Sequence, residues 1–179
     1  MIKTILIHGN GNSKPTDNWL PYLKRELEKI GIKVEAPQFP DTELARSCYW
    51  LPFLDKLKAD ENTIIVGHSS GAIAAMRYAE THRILGSALI GAYYTDLEIE
   101  AEKLSGYFDT PWNWEAIQQN QRWIIQFAGA NDPWIPIREA HVIRDLLQTD
   151  YYESPDQGHF GGDYYKETFP ELLEAIKKK

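Results

Sequence analysis

The residues with the clearest chemical potential form a short turn with a serine at its centre, Gly67–Gly71, which reads GHSSG. The residues before it, Thr63–Val66, favour a buried strand, and the alanine-rich run after it favours a helix. Glycines two positions either side of the serine let the strand and helix backbones approach closely. The start of the helix supplies free N–H groups and a dipole that stabilise an oxyanion. The pattern predicts acyl-transfer chemistry at Ser69.

A serine hydroxyl needs a neutral imidazole as base and a carboxylate that orients the imidazole. His159 lies in a glycine-flanked loop after the last predicted strand, where the chain order serine, acid, histidine requires the base. Asp132 follows the fifth predicted strand and precedes Pro133, which fixes that loop. Asp156 is the alternative acid, although it shares the loop of His159 and would have to fold back on it. Order and loop position favour Ser69, Asp132 and His159.

The remaining histidines lie in less reactive contexts. His82 and His141 fall on predicted helices as surface groups, His68 is interpreted as structural or pocket-lining, and His8 as a packing residue. The expected oxyanion donors are two backbone N–H groups, those of Asn10 and Ser70. Two further carboxylates are interpreted as helix caps or solvated groups: Asp150 and Asp163.

Strands and helices alternate along the chain, which predicts a three-layer α/β/α sandwich around a mostly parallel sheet of six strands. The ligand crevice of such a sheet lies at the carboxyl ends of its strands, the edge that carries the proposed reactive loops. The strands are predicted at 3–8, 33–36, 63–66, 87–91, 123–128 and 150–153. The helices are predicted at 20–30 with an Asp17 or Asn18 cap, at 44–57 around an awkward Pro52, from the turn to about 82, at 137–147 and at 169–176.

Composition limits the class of protein. A chain of 179 residues fits one domain, and 25% charged residues without a long apolar run predict a soluble protein. The net charge of −7 without a basic stripe argues against nucleic acid or a membrane surface as a partner. The single cysteine, Cys48, allows no internal disulfide and no cysteine metal site, which favours the cytoplasm. The loop at 8–13 lacks the phosphate-loop and dinucleotide patterns, and we expect no cofactor and no metal.

Four stretches carry a family resemblance over nearly the whole chain: Thr63–Arg83, Ser105–Phe108 with Pro111 and Trp112, Gln126–Pro133, and Gly158–Phe160. On these stretches the chain resembles the retinoblastoma-binding-protein family of small serine hydrolases. The resemblance implies a minimal α/β-hydrolase fold, a triad of Ser69, Asp132 and His159, and esterase-like or aminopeptidase-like activity.

The sequence departs from that family at one motif. The mammalian relative that gives the family its name carries leucine-x-cysteine-x-glutamate, and the corresponding stretch here is Leu57–Glu61, with Ala59 in place of the cysteine. We therefore expect no binding to the retinoblastoma protein.

The favoured function is a serine hydrolase of small esters or amides that forms an acyl-enzyme. The alternatives are a catalytically silent binding protein that uses the same cleft, and a metal-dependent hydrolase built on His8 and His159, for which paired-ligand spacing is missing. The aromatic segment 92–121 is predicted to form a small partial cap within one domain, residues 1–179. Four of its aromatics are expected at the cleft: Tyr93, Phe108, Trp112 and Trp114. Four of its acidic residues are interpreted as a solvated face rather than an amine-binding site: Asp96, Glu98, Glu100 and Glu102.

Overall fold

Six strands form one sheet in a computed structural model that describes residues 2–162 and 164–179. Asp163 lies outside the described residues. The strands are β1 (Lys3–Ile7), β2 (Lys33–Glu35), β3 (Thr63–His68), β4 (Gly86–Ile90), β5 (Ile124–Gly129) and β6 (Asp150–Ser154). Their order is β2-β1-β3-β4-β5-β6 and every neighbouring pair is parallel. The predicted sheet is confirmed, and it is wholly rather than mostly parallel.

Seven helices accompany the described strands. They are α1 (Leu20–Lys29), α2 (Ser47–Lys56), α3 (Ser70–Ala79), α4 (Glu100–Ser105), α5 (Trp114–Gln119), α6 (Ile137–Leu147) and α7 (Pro170–Lys177). One apolar cluster joins the sheet to α2, α3, α5 and α6, and a second joins its other face to α1 and α7. The predicted three-layer α/β/α architecture is therefore confirmed.

The two clusters follow from the alternation of side chains along the strands. Ile5 and Ile7 of β1 belong to the cluster beneath α3, whereas Leu6 between them belongs to the cluster beneath α1 and α7. All ten residues of α3 are buried, which explains why its sequence is rich in alanine rather than amphipathic. The helix that follows the turn at Ser69 is thus fixed in the interior.

Several local predictions are wrong. Neither Asp17 nor Asn18 caps α1: the N-cap position is Trp19, and the Asp17 carboxylate accepts the Lys14 amide instead. The helix α2 begins at Ser47 and continues through Pro52, where the neighbouring buried residues Trp50 and Leu54 anchor it. The helix α3 ends at Ala79, three residues early. The segment 92–121 has no strand, as expected, and contains the two short helices α4 and α5.

None of the helices in the described part of the chain has the length and apolar character required to cross a bilayer.

Candidate active site

Ser69 occupies the sharp turn between β3 and α3. Its backbone has φ 56° and ψ −122°, a conformation that non-glycine residues rarely adopt. A Cβ atom on Gly67 would lie 2.2 Å from the Gly71 carbonyl oxygen, and one on Gly71 would lie 2.6 Å from the Ile7 carbonyl oxygen. Both glycines are therefore required for close backbone contact, as the sequence pattern predicts. The Ser69 amide donates to the Ile90 carbonyl at 2.8 Å, which fixes the turn against β4.

His159 and Asp132 form a hydrogen-bonded pair. The distance from His159 Nδ1 to Asp132 Oδ2 is 2.6 Å, and the aspartate side chain is 3% exposed. The other oxygen, Oδ1, accepts the amides of Trp134 and Ile135 at 2.9 and 3.0 Å. Burial by itself raises the pKa of Asp132, but the hydrogen bond from His159 and those two amides outweigh it, and the net pKa is lowered. Asp132 is thus held as an acceptor for the imidazole.

The alternative acid lies elsewhere. Asp156 is exposed, and its Oδ1 accepts the side-chain amide of Gln157 at 3.1 Å. The structure therefore brings Asp132, and not Asp156, to the ring of His159.

Two buried side chains hold the loop of His159 by hydrogen bonds to its backbone carbonyls. His68 Nε2 donates to the His159 carbonyl at 2.7 Å, and Trp19 Nε1 donates to the Phe160 carbonyl at 3.0 Å. Burial, followed by repulsion from His159, lowers the pKa of His68 to about 3, so its ring stays neutral. Gly91, with φ 62°, leaves room for the imidazole, because a Cβ there would lie 2.9 Å from His159 Cε1. His68 therefore both lines the cleft and supports the loop.

The loop after β1 lies directly against the serine. A Cβ atom on Gly9 would be 3.3 Å from the Cβ of Ser69. The carbonyl of Asn10 accepts both the amide and the hydroxyl of Ser13, which turns the loop back on itself. Within the described residues, the backbone N–H groups of Asn10 and Ser70 have no protein acceptor. Both amides remain available for a ligand oxygen.

These elements surround a cleft of about 390 Å³. Ser69 and His159 face it at the carboxyl edge of the sheet, together with His68 and Tyr93. Leu97, Ile99, Ala101, Trp134 and Ile135 form an apolar wall. Trp134 is 61% exposed and Ile99 is 41% exposed, so this wall reaches the surface. The arrangement suits a small molecule with a carbonyl near Ser69 and an apolar group beside the wall.

Three of the four aromatics expected at the cleft lie elsewhere. Among the described residues that line it, Tyr93 is present, whereas Phe108, Trp112 and Trp114 are not. The Trp112 ring covers the Arg77 guanidinium at 3.6 Å and stacks on Trp114, with the ring centroids 5.4 Å apart. The placement of these three residues at the cleft is wrong, because Trp112 covers the buried cation and Phe108 and Trp114 pack against the Trp112 ring.

Sequence reasoning missed other residues of the cleft. Glu102, expected on a solvated face, is 7% exposed and lines the cleft, whereas Glu98 and Glu100 are exposed as expected. No periodicity marks Glu102, because α4 is only six residues long. Trp134 could have been found from its place in the loop of Asp132 at the end of β5.

His8 does not have the free nitrogen that a metal ligand needs. Its Nδ1 donates to the Gly9 carbonyl at 2.8 Å, and its Nε2 accepts the Phe39 amide at 3.0 Å. The ring also packs edge-on against Phe39 and Trp50, as a packing residue would. Within residues 2–162 and 164–179, no three His, Cys, Asp or Glu side chains are grouped so that they could hold a metal ion.

The parallel sheet, the strained serine and the cleft at the strand ends define the class of α/β hydrolases. The chain belongs to the serine hydrolase family: the model of that family, described as "Serine hydrolase", matches residues 4–178.

Known proteins resemble the chain over nearly its whole length. It is 43% identical over 178 residues to serine hydrolase RBBP9 of Rattus norvegicus, which covers 98% of this chain and 94% of the relative. The crystal structure of the ydeN gene product from Bacillus subtilis superposes with a TM-score of 0.91 at 22% identity, covering 99% and 98% of the two chains. Est1E from Butyrivibrio proteoclasticus, solved with bound ferulic acid, gives a TM-score of 0.77 at 14% identity, covering 99% and 87%. The two solved structures support the fold, and the family makes the chain a serine hydrolase.

Proposed function

We propose that this serine hydrolase cleaves small esters or amides through a triad of Ser69, His159 and Asp132. The observation that carries the proposal is the 2.6 Å hydrogen bond from His159 to the buried Asp132, in a loop that shares one cleft with the strained Ser69. An imidazole with its Nδ1–H held by a carboxylate presents a neutral Nε2, the form that accepts a proton from serine.

The reaction has two halves. Ser69 Oγ attacks the carbonyl carbon while its proton passes to Nε2 of His159, and the negative charge collects on the carbonyl oxygen. The amides of Asn10 and Ser70 bind this oxyanion. The intermediate then expels the alcohol or amine, which takes the proton from His159. Water, deprotonated by the same histidine, attacks the acyl-enzyme and releases the acid and free Ser69.

The apolar wall supports a substrate with a hydrophobic group. Leu97, Ile99 and Trp134 offer contact area but no charge, so burial of the substrate against them supplies binding energy of about 25 cal/mol per Å². We place the reacting carbonyl near Ser69, and the apolar acyl or leaving group along the wall.

We also propose that residues 92–121 act as a small cap within a single domain that spans residues 1–179. The support comes from Leu97, Ile99 and Ala101, which lie on the cleft, rather than from the tryptophans that the sequence suggested.

Covalent labelling tests the proposal without knowledge of the natural substrate. Ser69 Oγ should attack the phosphorus of a fluorophosphonate, forming a P–O bond as the P–F bond breaks, with fluoride released to solvent and the hydroxyl proton passed to His159. Peptide mass spectrometry should locate the adduct on Ser69. Ser69→Ala should abolish the adduct, while Ser154→Ala, a matched change outside the cleft, should retain it. A protein that only binds ligands in this cleft would give neither adduct nor ester turnover. An adduct on a different serine would reassign the nucleophile.

A pair of aspartate variants tests the acid. Asp132→Asn should keep the fold and lower kcat by about 10⁴-fold, because the amide holds the imidazole in the wrong tautomer. Asp156→Asn is the matched control and should keep wild-type activity. Full activity in Asp132→Asn would exclude this assignment.

We infer that the partner of this protein is a small-molecule substrate. From its cysteine usage we expect the protein in the cytoplasm. Because Ala59 replaces the motif cysteine, calorimetry with the retinoblastoma pocket domain should show no saturable binding. A micromolar or tighter Kd would contradict this expectation.

A further inference from the structure

A buried carboxylate connects the cap segment to the loop after β1. Glu102 of α4 is 7% exposed, and its Oε1 accepts the side-chain amide of Asn10 at 2.8 Å. Its Oε2 accepts the hydroxyl of Tyr93 at 2.7 Å, and Tyr93 is 1% exposed. Both carboxylate oxygens therefore have a donor from a different part of the chain.

The connection continues to the helix behind the serine. The Tyr93 hydroxyl lies 3.2 Å from Ser70 Oγ. Because the phenol proton is directed to Glu102, the Ser70 hydroxyl is the donor in this contact. The resulting chain runs from Ser70 through Tyr93 and Glu102 to Asn10. Its two ends are the residues whose backbone amides we assign to the oxyanion.

We propose that Glu102 is a positioning residue for the oxyanion hole, which holds the Asn10 and Ser70 amides at the spacing that the tetrahedral intermediate requires. This inference rests on the proposed function, since it assumes that both amides bind the oxyanion. Glu102 acts through its two hydrogen-bond partners and not by contact with the reacting atoms.

The need for such a connection follows from the loop itself. Asn10 lies between Gly9 and Gly11, and glycine-flanked backbone has many accessible conformations. The loop is held at its outer side, where the Gly11 amide donates to the Glu43 carbonyl. On the cleft side, the side-chain amide of Asn10 donates a hydrogen bond to Glu102. An oxyanion donor must lie about 2.7–3.1 Å from the oxygen, so a small displacement of Asn10 weakens the intermediate more than the bound substrate.

The burial of Glu102 gives the connection its strength. Burial raises the pKa of Glu102, and the hydrogen bonds from Tyr93 and Asn10 act in the opposite direction. A buried carboxylate is stable only while donors bind both of its oxygens. If Glu102 is removed, Tyr93 and Asn10 lose their acceptor.

A carboxylate in the cleft could instead bind an ammonium group of the substrate, and the two roles have different kinetic signatures. A positioning residue affects kcat for every substrate, including neutral esters. An ammonium-binding residue affects KM, and only for substrates that carry an amine.

The experiment compares Glu102→Ala with Glu102→Gln and the exposed neighbour Glu100→Ala, using a neutral ester and an amine-bearing ester of the same alcohol. With both esters, Glu102→Ala should lower kcat about 10- to 100-fold, while KM stays within about twofold. Glu102→Gln should recover most of the loss, because its amide can accept from Tyr93 and donate to a rotated Asn10 side chain. Glu100→Ala should match the wild type. A wild-type kcat in a folded Glu102→Ala, or a loss confined to KM for the amine-bearing ester, overturns the proposal.

Asn10→Ala keeps the backbone amide and removes only the side-chain contact, so it provides a second measurement if Glu102→Ala does not fold. It should lower kcat for both esters by no more than Glu102→Ala does, because the contact of Tyr93 with Glu102 remains, and the double variant should lose at most about twofold more than Glu102→Ala alone. Multiplicative losses would mean that Glu102 does not act through Asn10. Fluorophosphonate labelling separates the two levels: failure to label Ser69 in the wild type contradicts the proposed function, whereas normal labelling with an unaffected Glu102→Ala contradicts only the positioning role.

Discussion

The two halves of the segment between β4 and β5 have opposite compositions and opposite roles. The first half, residues 93–102, has few large aromatics but lines the cleft with Tyr93, Leu97, Ile99 and Glu102. The second half, residues 107–114, is rich in aromatics but packs against α3. Aromatic content in this protein therefore marks a packing requirement, whereas proximity to the carboxyl ends of the strands marks the site.

The packing requirement is Arg77. This residue of α3 is 7% exposed, and its guanidinium donates to the carbonyls of Tyr107, Thr110 and Pro111. It also pairs with Glu80 at 2.8 Å beneath the Trp112 ring. A buried cation must have its donors satisfied, and the second half of the segment satisfies them with backbone carbonyls and an aromatic face.

The largest expected effect belongs to the cleft side. Ser69→Ala and His159→Ala should each reduce kcat by about 10⁴- to 10⁶-fold, and the double variant should lose little more, because the two residues act as one unit. Melting temperatures should stay near that of the wild type. Independent, multiplicative losses would mean that these residues are not partners.

For the second half of the segment, Arg77→Ala should have the opposite effect: a large loss of stability with little change in kcat. Loss of the guanidinium removes the donor to three carbonyls and the cation paired with Glu80, whose carboxylate keeps only the Asn113 amide, and this should lower the free energy of unfolding by about 3 kcal/mol. At temperatures where the variant remains folded, kcat should be close to the wild-type value. Arg144→Ala, which removes a partly exposed arginine of α6, should change stability by less than about 0.5 kcal/mol. Urea unfolding and steady-state kinetics on the same samples would check both expectations.

The two sides also differ in the way a buried basic group is accommodated. Arg77 has partners for its charge, whereas burial lowers the pKa of His68 from its ordinary 6.5 to about 3. Between pH 6.5 and about 3, His68 takes up a proton in the unfolded chain but not in the folded protein. The folded protein is therefore more stable above pH 6.5 than below it. This one group should remove up to about 1.4 kcal/mol of unfolding free energy per pH unit as the pH falls toward 3.

His68→Gln keeps a donor for the His159 carbonyl and removes this titration. Urea unfolding between pH 7 and 4 should then show a shallower loss of stability than in the wild type. His8 has a pKa that is lowered by burial as well, and its contribution should remain in both proteins. An identical slope in the two proteins would mean that His68 takes up its proton in the folded state.

The smallest expected effect separates the two halves by substrate. Ile99→Ala should lower kcat/KM for an ester with an apolar acyl group by about fivefold, because roughly 1 kcal/mol of contact is lost. Trp112→Ala should leave the ratio between apolar and small acyl groups unchanged, although it lowers stability. Equal changes in that ratio would remove the distinction between the halves.

Residue order was sufficient for the sheet and for the grouping of the site loops. Alternating apolar runs place the six strands, and the carboxyl ends of parallel strands must meet at one edge, so Ser69, Asp132 and His159 were expected there together. Trp112 and Trp114 could not be placed in this way. Their position depends on Arg77, which lies more than 30 residues earlier, and nothing in its helical context reveals a buried cation.

Glu102 is the converse case: the sequence predicts a solvated residue, and the structure places it in the cleft. In sequence it is one of several acids in a short polar helix, and such residues are usually solvated. Its partners Asn10 and Tyr93 come from separate loops, so only the assembled sheet brings them to its carboxylate.

The backbone contacts of the serine turn also constrain the order of folding. Gly71 lies against the carbonyl of Ile7 from β1, and the Ser69 amide bonds to Ile90 at the end of β4. The strained backbone conformation of Ser69 thus requires strands that are more than 60 residues apart in the chain, and such distant pairings form slowly. During refolding, helical signal should therefore return before the serine can be labelled. A covalent probe of this enzyme reports completed assembly of the central strands as well as catalytic competence.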